Sequence, residues 1–177
     1  LNYYQIVFAP SIFLTNNIID NCSAHLIIGP RFNSKSKDFQ IPHSLPPNVP
    51  GLNVMVERVE TIRPNMSRPL KGSGSVVRWI EDISHNASVI EETECGDPIV
   101  LQQNNKTYLA GCLDQKAKLR LFKKLLQDQN LDYLEMPNGV RQRFTKNHRF
   151  IWNYSNQNQT IDGILLQPAD VKIISKN

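Results

Sequence analysis

Ile6-Val7-Phe8-Ala9-Pro10-Ser11-Ile12-Phe13-Leu14, followed after a polar stretch by His25-Leu26-Ile27-Ile28, decides how this chain is read. Both runs are continuously apolar rather than alternating, so each reads as a strand buried on both faces. Thr15-Asn16-Asn17 offers a helix start between them, and only a two-turn helix fits before His25. An apolar strand, a short crossover and a second apolar strand imply parallel pairing. The expected class is therefore α/β, with a mainly parallel sheet and helices.

The second strand breaks at Gly29-Pro30 and continues as Arg31-Phe32-Asn33-Ser34-Lys35-Ser36-Lys37-Asp38-Phe39-Gln40-Ile41-Pro42. A long polar loop carrying two phenylalanines is uncommon in a compact domain unless it joins surfaces. Pro42 to Pro50 is too proline-rich for helix or central sheet. Val54 to Val59, Val76 to Ile80, Val89-Ile90 and Pro98 to Leu101 read as strands, with Gly72-Ser73-Gly74 a flexible break. Gln103-Asn104-Asn105-Lys106 turns into Thr107-Tyr108-Leu109-Ala110-Gly111-Cys112, which makes a hairpin with the preceding strand. Asp114 caps a helix from Gln115 to Gln129, with Ala117, Leu121, Phe122, Leu125 and Leu126 on its apolar stripe. From Leu131 onward the pattern changes to short strands: Val140 to Phe144, Arg149 to Tyr154, Gly163 to Leu166 and Asp170 to Ile174. Asn138-Gly139 and Asp162-Gly163 mark tight turns between them. This tail is a small antiparallel module, too short for a robust core alone and expected to dock on the larger domain.

Composition narrows the class. The 177 residues are 40% hydrophobic, enough for a globular core, and carry a net charge of +4. No apolar run approaches the roughly 18 residues of a membrane helix, and the start lacks the layout of a signal peptide. The first residue is Leu1 and a strand begins almost at once, so the chain is read as cut from something longer or processed. Cys22, Cys95 and Cys112 form no CxxC and cannot all pair, which favours reduced thiols in a cytoplasmic setting. Sequons at Asn21, Asn65, Asn86, Asn105, Asn153 and Asn158 argue the other way, although an Asn-rich chain yields several by chance.

Candidate chemistry is thin. Gly72-Ser73-Gly74-Ser75 near Lys71 has the wrong order for a phosphate loop and precedes a strand. Glu91, Glu92, Glu94 and Asp97 are neighbours on one loop, not the two facing carboxylates of a glycosidase, and they read as solvated, as do Glu81-Asp82. Cys112 stands between a strand and a helix N-terminus, where a dipole lowers a thiol pKa. It lacks a tight glycine elbow and has Asp114 beside it. An amidotransferase-like thiol hydrolase using Cys112, with His43 or His85 approaching in space, is the enzyme alternative. Lys116, Lys118, Arg120, Lys123 and Lys124 read as a solvated helix face, the alternative being a basic nucleic-acid-binding surface. His25, His43, His85 and His148 show no metal-ligand spacing, and no cofactor is expected. Trp79 and Trp152 read as core residues rather than sugar platforms.

The residues also carry a resemblance. Tyr4 to Leu14 with its Ala-Pro-Ser, Gly29-Pro30-Arg31, Ser34-Lys35, Ile41-Pro42 and Leu45-Pro46-Pro47 resemble, in order, the middle domain of family-42 β-galactosidases. Val59-Glu60-Thr61-Ile62-Arg63-Pro64 and Tyr108-Leu109-Ala110-Gly111 are similar to later segments of that domain. Gly139-Val140-Arg141 and Phe150 to Tyr154 are similar to the family's small C-terminal β-domain. The resemblance implies a flavodoxin-like trimerisation domain over residues 1–130, truncated at its N-terminus, and a small β-domain over 131–177. It implies a glycoside hydrolase in which retaining cleavage of terminal β-galactosides belongs to two glutamates on a preceding barrel, so none is assigned here. The expected partners are further copies of the chain in a homotrimer and the barrel of the same parent, without nucleic acid or membrane. The expected contact residues are Arg31, Phe32, Lys35, Asp38, Phe39 and Ile41, with the two phenylalanines as apolar anchors.

Overall fold

The computed structural model describes residues 3–9, 19 and 22–175. It divides into two compact units, Leu1–Leu131 and Asp132–Asn177.

In the first unit β1 (Ile6–Ala9) and β2 (His25–Ile28) pair in parallel, Ile6 opposite His25. β3 (Val54–Thr61), β4 (Arg68–Pro69) and β5 (Ser75–His85) follow, then β6 (Ser88–Glu92), β7 (Pro98–Gln103), β8 (Lys106–Leu109) and β9 (Gly111–Leu113). A five-stranded sheet runs in the order β1-β2-β8-β7-β6. Its β2–β8 pairing is parallel, whereas β7–β8 and β6–β7 are antiparallel. A second sheet is built on β5, which pairs antiparallel with β3, β4 and β9. The one helix described at length is α1 (Gln115–Asp128).

The flavodoxin-like, mainly parallel α/β expectation is therefore overturned: the chain is mainly β, with antiparallel pairs in the majority. The apolar runs of β1 and β2 do pair in parallel, but that pattern ends after three strands. The longest pair, β3 with β5, is antiparallel, and β3 buries only Val54 and Val56 of its eight residues. A strand exposed along most of its length does not need helices on both faces. The helix expected between Leu14 and His25, apart from Ile19, lies outside the described residues, as do Pro10 to Leu14.

β2, β7 and β8 sit between two apolar clusters. Leu26, Ile28, Phe32, Leu101 and Tyr108 face one, with Val54 and Val56. Ile27, Val100 and Leu109 face the other, which α1 closes with Ala117, Leu121 and Leu125. Burial on both faces explains why Leu26 to Ile28 of β2 and Ile99 to Leu101 of β7 read as continuous apolar runs. The segment Thr107 to Cys112 is not one strand. It leaves the first sheet after Leu109 and enters the second at Gly111, with Ala110 bridging them: its N–H donates to the Ile99 carbonyl and its own carbonyl accepts from Glu81 N–H.

In the second unit β10 (Val140–Phe144), β11 (His148–Asn153) and β14 (Val171–Ser175) form an antiparallel sheet, and β12 (Gln159–Ile161) pairs with β13 (Ile164–Leu166). Asp162-Gly163 has positive φ at both residues, 50° and 77°, the geometry of the two-residue hairpin turn. The core is Val140, Ile151, Ile161 and Leu166.

Candidate contact surface and the buried acid behind it

The loop after β2 is fixed at its root. Arg31 adopts φ 66°, a left-handed conformation that a side chain makes costly. Its N–H donates to Glu81 Oε1 at 2.8 Å, and Trp79 Nε1–H donates to the same oxygen at 3.1 Å. The other oxygen makes a short hydrogen bond with the Tyr108 hydroxyl. The Arg31 guanidinium lies over the Trp79 ring, 4.9 Å from its centroid. Glu81 is 2% exposed. Burial pushes its carboxyl above the ordinary glutamate value, against the pull of Tyr108, Trp79 and Arg31. Burial and the neighbouring Glu81 push the Tyr108 phenol up in turn.

Reading Glu81-Asp82 as a solvated pair is thus half corrected. Asp82 is exposed and pairs with Arg58 at 3.1 Å, but Glu81 is a core residue. β5 is irregular between Val76 and Ile80, with Arg78 at φ 66°, and Ile80 and Glu81 are buried in succession. Strict alternation would have exposed one of them.

Further along, Phe32 is fully buried in the same cluster as Tyr108. It fills the core and offers no apolar anchor on the surface. Asn33 is buried and donates from Nδ2 to the Pro47 carbonyl at 2.8 Å. The tip is self-supporting: Ser36 N–H donates to Gln40 O, Phe39 N–H to Ser36 O, and Ser36 Oγ accepts from the Asp38 and Gln40 amides. Phe39 stands at φ 61° and 68% exposed, and Ile41 is 73% exposed. Lys35 is half-buried, and Asp38 and Arg31 are exposed. Of the six expected contact residues, Phe32 is a buried foot, Lys35 is half-buried, and Arg31, Asp38, Phe39 and Ile41 are exposed.

Three acids of the Glu91 to Asp97 stretch are ion-paired, and Glu94 is exposed. Glu91 pairs with Arg120 at 2.6 Å and accepts the Gly72 amide at 2.9 Å, Glu92 pairs with Lys71, and Asp97 with Arg68 at 3.3 Å. The amide a phosphate loop would offer is thus occupied by a carboxylate. Glu60 also pairs with Arg68, at 2.6 Å. The crevice shared by Glu60, Asp82 and Asp97 measures about 70 Å³, against roughly 300 Å³ or more for a small-molecule site. Burial raises the Cys112 thiol, with Glu81 adding and Lys118 opposing, so the thiolate needed for attack is disfavoured. Among the described residues no histidine or acid hydrogen-bonds to it. The basic helix face is partly engaged, since Arg120 is held by Glu91 and by the Ser73 carbonyl. Among the described residues no His/Cys/Asp/Glu group is arranged for a metal, and no helix is long and apolar enough to cross a membrane.

No family model matches the chain. It is 28% identical over 134 residues to a β-galactosidase of Thermus thermophilus, covering 73% of this chain and 21% of that protein. The solved β-galactosidase from Marinomonas ef1 superimposes with a TM-score of 0.86 at 26% identity, over 99% of this chain and 30% of that one. The family-42 β-galactosidase Gan42B of G. stearothermophilus, in its E323A form, shares the fold at a TM-score of 0.76 and 15% identity, over 99% of this chain and 32% of its own. The chain spans about a fifth of the curated relative and under a third of these structures. The resemblance carried by the residues stands: along its length this chain is similar to a part of the family-42 β-galactosidases, and no (β/α)8 barrel occurs among its described residues.

Proposed function

We propose that this chain is the non-catalytic oligomerisation and accessory region of a cytoplasmic β-galactosidase whose barrel, in the same parent chain, hydrolyses terminal β-D-galactosides. The observation that carries the reading is the tip of the loop. Phe39 and Ile41 are exposed on a backbone fixed by the hydrogen bonds of Ser36. A bulky apolar residue held in a left-handed conformation and turned to solvent costs stability in the isolated chain. Burial against a second copy would offset that cost. A closed ring of three copies would need the tip to meet a different surface on its neighbour. The role needs no cofactor and no nucleic acid.

Light scattering on the purified chain across a concentration series tests this. Self-association is expected, weakened by about 2 kcal/mol, roughly thirtyfold, in Phe39→Asp. The same preparation is expected to leave a chromogenic β-galactoside intact. A chain that stays monomeric at high concentration, or one that cleaves the galactoside, would refute the reading.

A further inference from the structure

We propose that Glu81 is the positioning residue of this contact loop, setting the path of Arg31 to Ile41 so that its tip is presented in one geometry. The inference rests on the contact role proposed above for that loop. Three elements converge on one side chain: the loop through Arg31 N–H, β5 through Trp79 Nε1–H, and β8 through the Tyr108 hydroxyl. A carboxyl suits this junction because one oxygen takes two N–H donors while the second atom pairs with a phenol. Burying it among apolar neighbours gains little by itself, since the carboxyl must be desolvated. What the arrangement supplies is a fixed geometry for a backbone that would otherwise relax. Arg31, Asn33 and Phe39 all hold positive φ, at 66°, 54° and 61°, and side-chained residues keep such angles only where their surroundings determine them.

The constraint passes along the loop from one contact to the next. Arg31 N–H is tied to Glu81, Phe32 is buried in the same cluster as Tyr108, Asn33 is tied to Pro47, and Ser34 N–H donates to the Arg31 carbonyl. Only five residues lie between Asn33 and Phe39, and Ser36 closes most of them into a turn. Removing the glutamate side chain leaves the Arg31 amide, the Trp79 indole and the Tyr108 hydroxyl without their acceptor at once. Glutamine is different. Its carbonyl oxygen can take both N–H groups while its amide donates to the Tyr108 oxygen, so it keeps the ties to Arg31 and Trp79 and reverses the third without the charge.

The test compares Glu81→Ala with Glu81→Gln in a Trp152→Phe background, where Trp79 is the remaining tryptophan. The readouts are the indole N–H resonance, hydrogen exchange at residues 31–41 and light scattering. In Glu81→Ala the indole resonance is expected to move. Exchange at 31–41 should accelerate at least tenfold while β7 and β8 stay protected, and self-association should weaken at least tenfold. Glu81→Gln is expected to restore all three. Should Glu81→Ala fail to fold, Trp79→Phe, which deletes one donor to the same oxygen, is expected to accelerate exchange at 31–41. Unchanged exchange in the variant that folds, or a Glu81→Gln chain behaving like Glu81→Ala, would overturn the assignment. A wild-type chain that never associates refutes the contact role instead, and the exchange comparison still decides what Glu81 does.

Discussion

His25 opens β2 at 5% exposure, its Nε2 paired with Thr107 Oγ1 at 2.8 Å. Burial lowers its pKa below the ordinary 6.5, with Asp128 pulling weakly the other way. The unfolded chain therefore binds this proton at a higher pH than the folded one. The stability linked to His25 is fully present above pH 6.5 and is lost as pH falls through the folded value. Urea midpoints are expected to drop between pH 7 and pH 5 more in the wild type than in His25→Gln; parallel curves would count against it. The sequence could show that His25 lacks metal-ligand spacing, but not that it is buried beside a threonine 82 residues away. Glu81 was hidden for a related reason. A glutamate next to an aspartate reads as surface, and the Arg78 irregularity that turns it inward is visible only once β5 has its partners. Asn153 sat inside a sequon, yet its buried amide donates to the Gln157, Leu166 and Gln167 carbonyls and its oxygen accepts from Ser155. The surroundings of His25 and Glu81 are set by partners far along the chain.

Elements whose stability is local were legible. The stripe of Ala117, Leu121 and Leu125 is buried as its spacing implies, and Asp114 Oδ1 accepts the Ala117 amide at 2.7 Å. The first turn of α1 has no acidic residue and the last no basic one, so the cap has no charge partner to share its work at the helix end. Asp114→Ala is expected to cost about 1 kcal/mol of unfolding free energy, read as a lower denaturant midpoint at constant m-value. An unchanged midpoint would mean the tertiary packing of α1 makes the cap redundant. The hairpin of β7 and β8 was also legible, because its turn is short and Asn104 accepts φ 54°. Pairing across long sequence distances was not. β3 meets β5, and the chain passes from one sheet to the other between Leu109 and Gly111, through contacts that no local pattern encodes. The parallel pairing of β1 and β2 therefore does not extend beyond β8.

At the scale of the whole chain the two units differ in what holds them. The first has two apolar clusters sharing β2, β7 and β8, closed on one side by α1. The second has four buried apolar residues, Val140, Ile151, Ile161 and Leu166, around the Asn153 hydrogen bonds. A core of four apolar side chains is small for residues 132–177 to hold on their own. Produced separately, residues 1–131 are expected to melt in one cooperative transition followed by circular dichroism. Residues 132–177 are expected to give a shallow transition, with Ile151 and Asn153 amides only weakly protected from exchange. A sharp transition from the smaller piece would show that Asn153, holding three carbonyls with one buried amide, stabilises the fold far more than its apolar core implies.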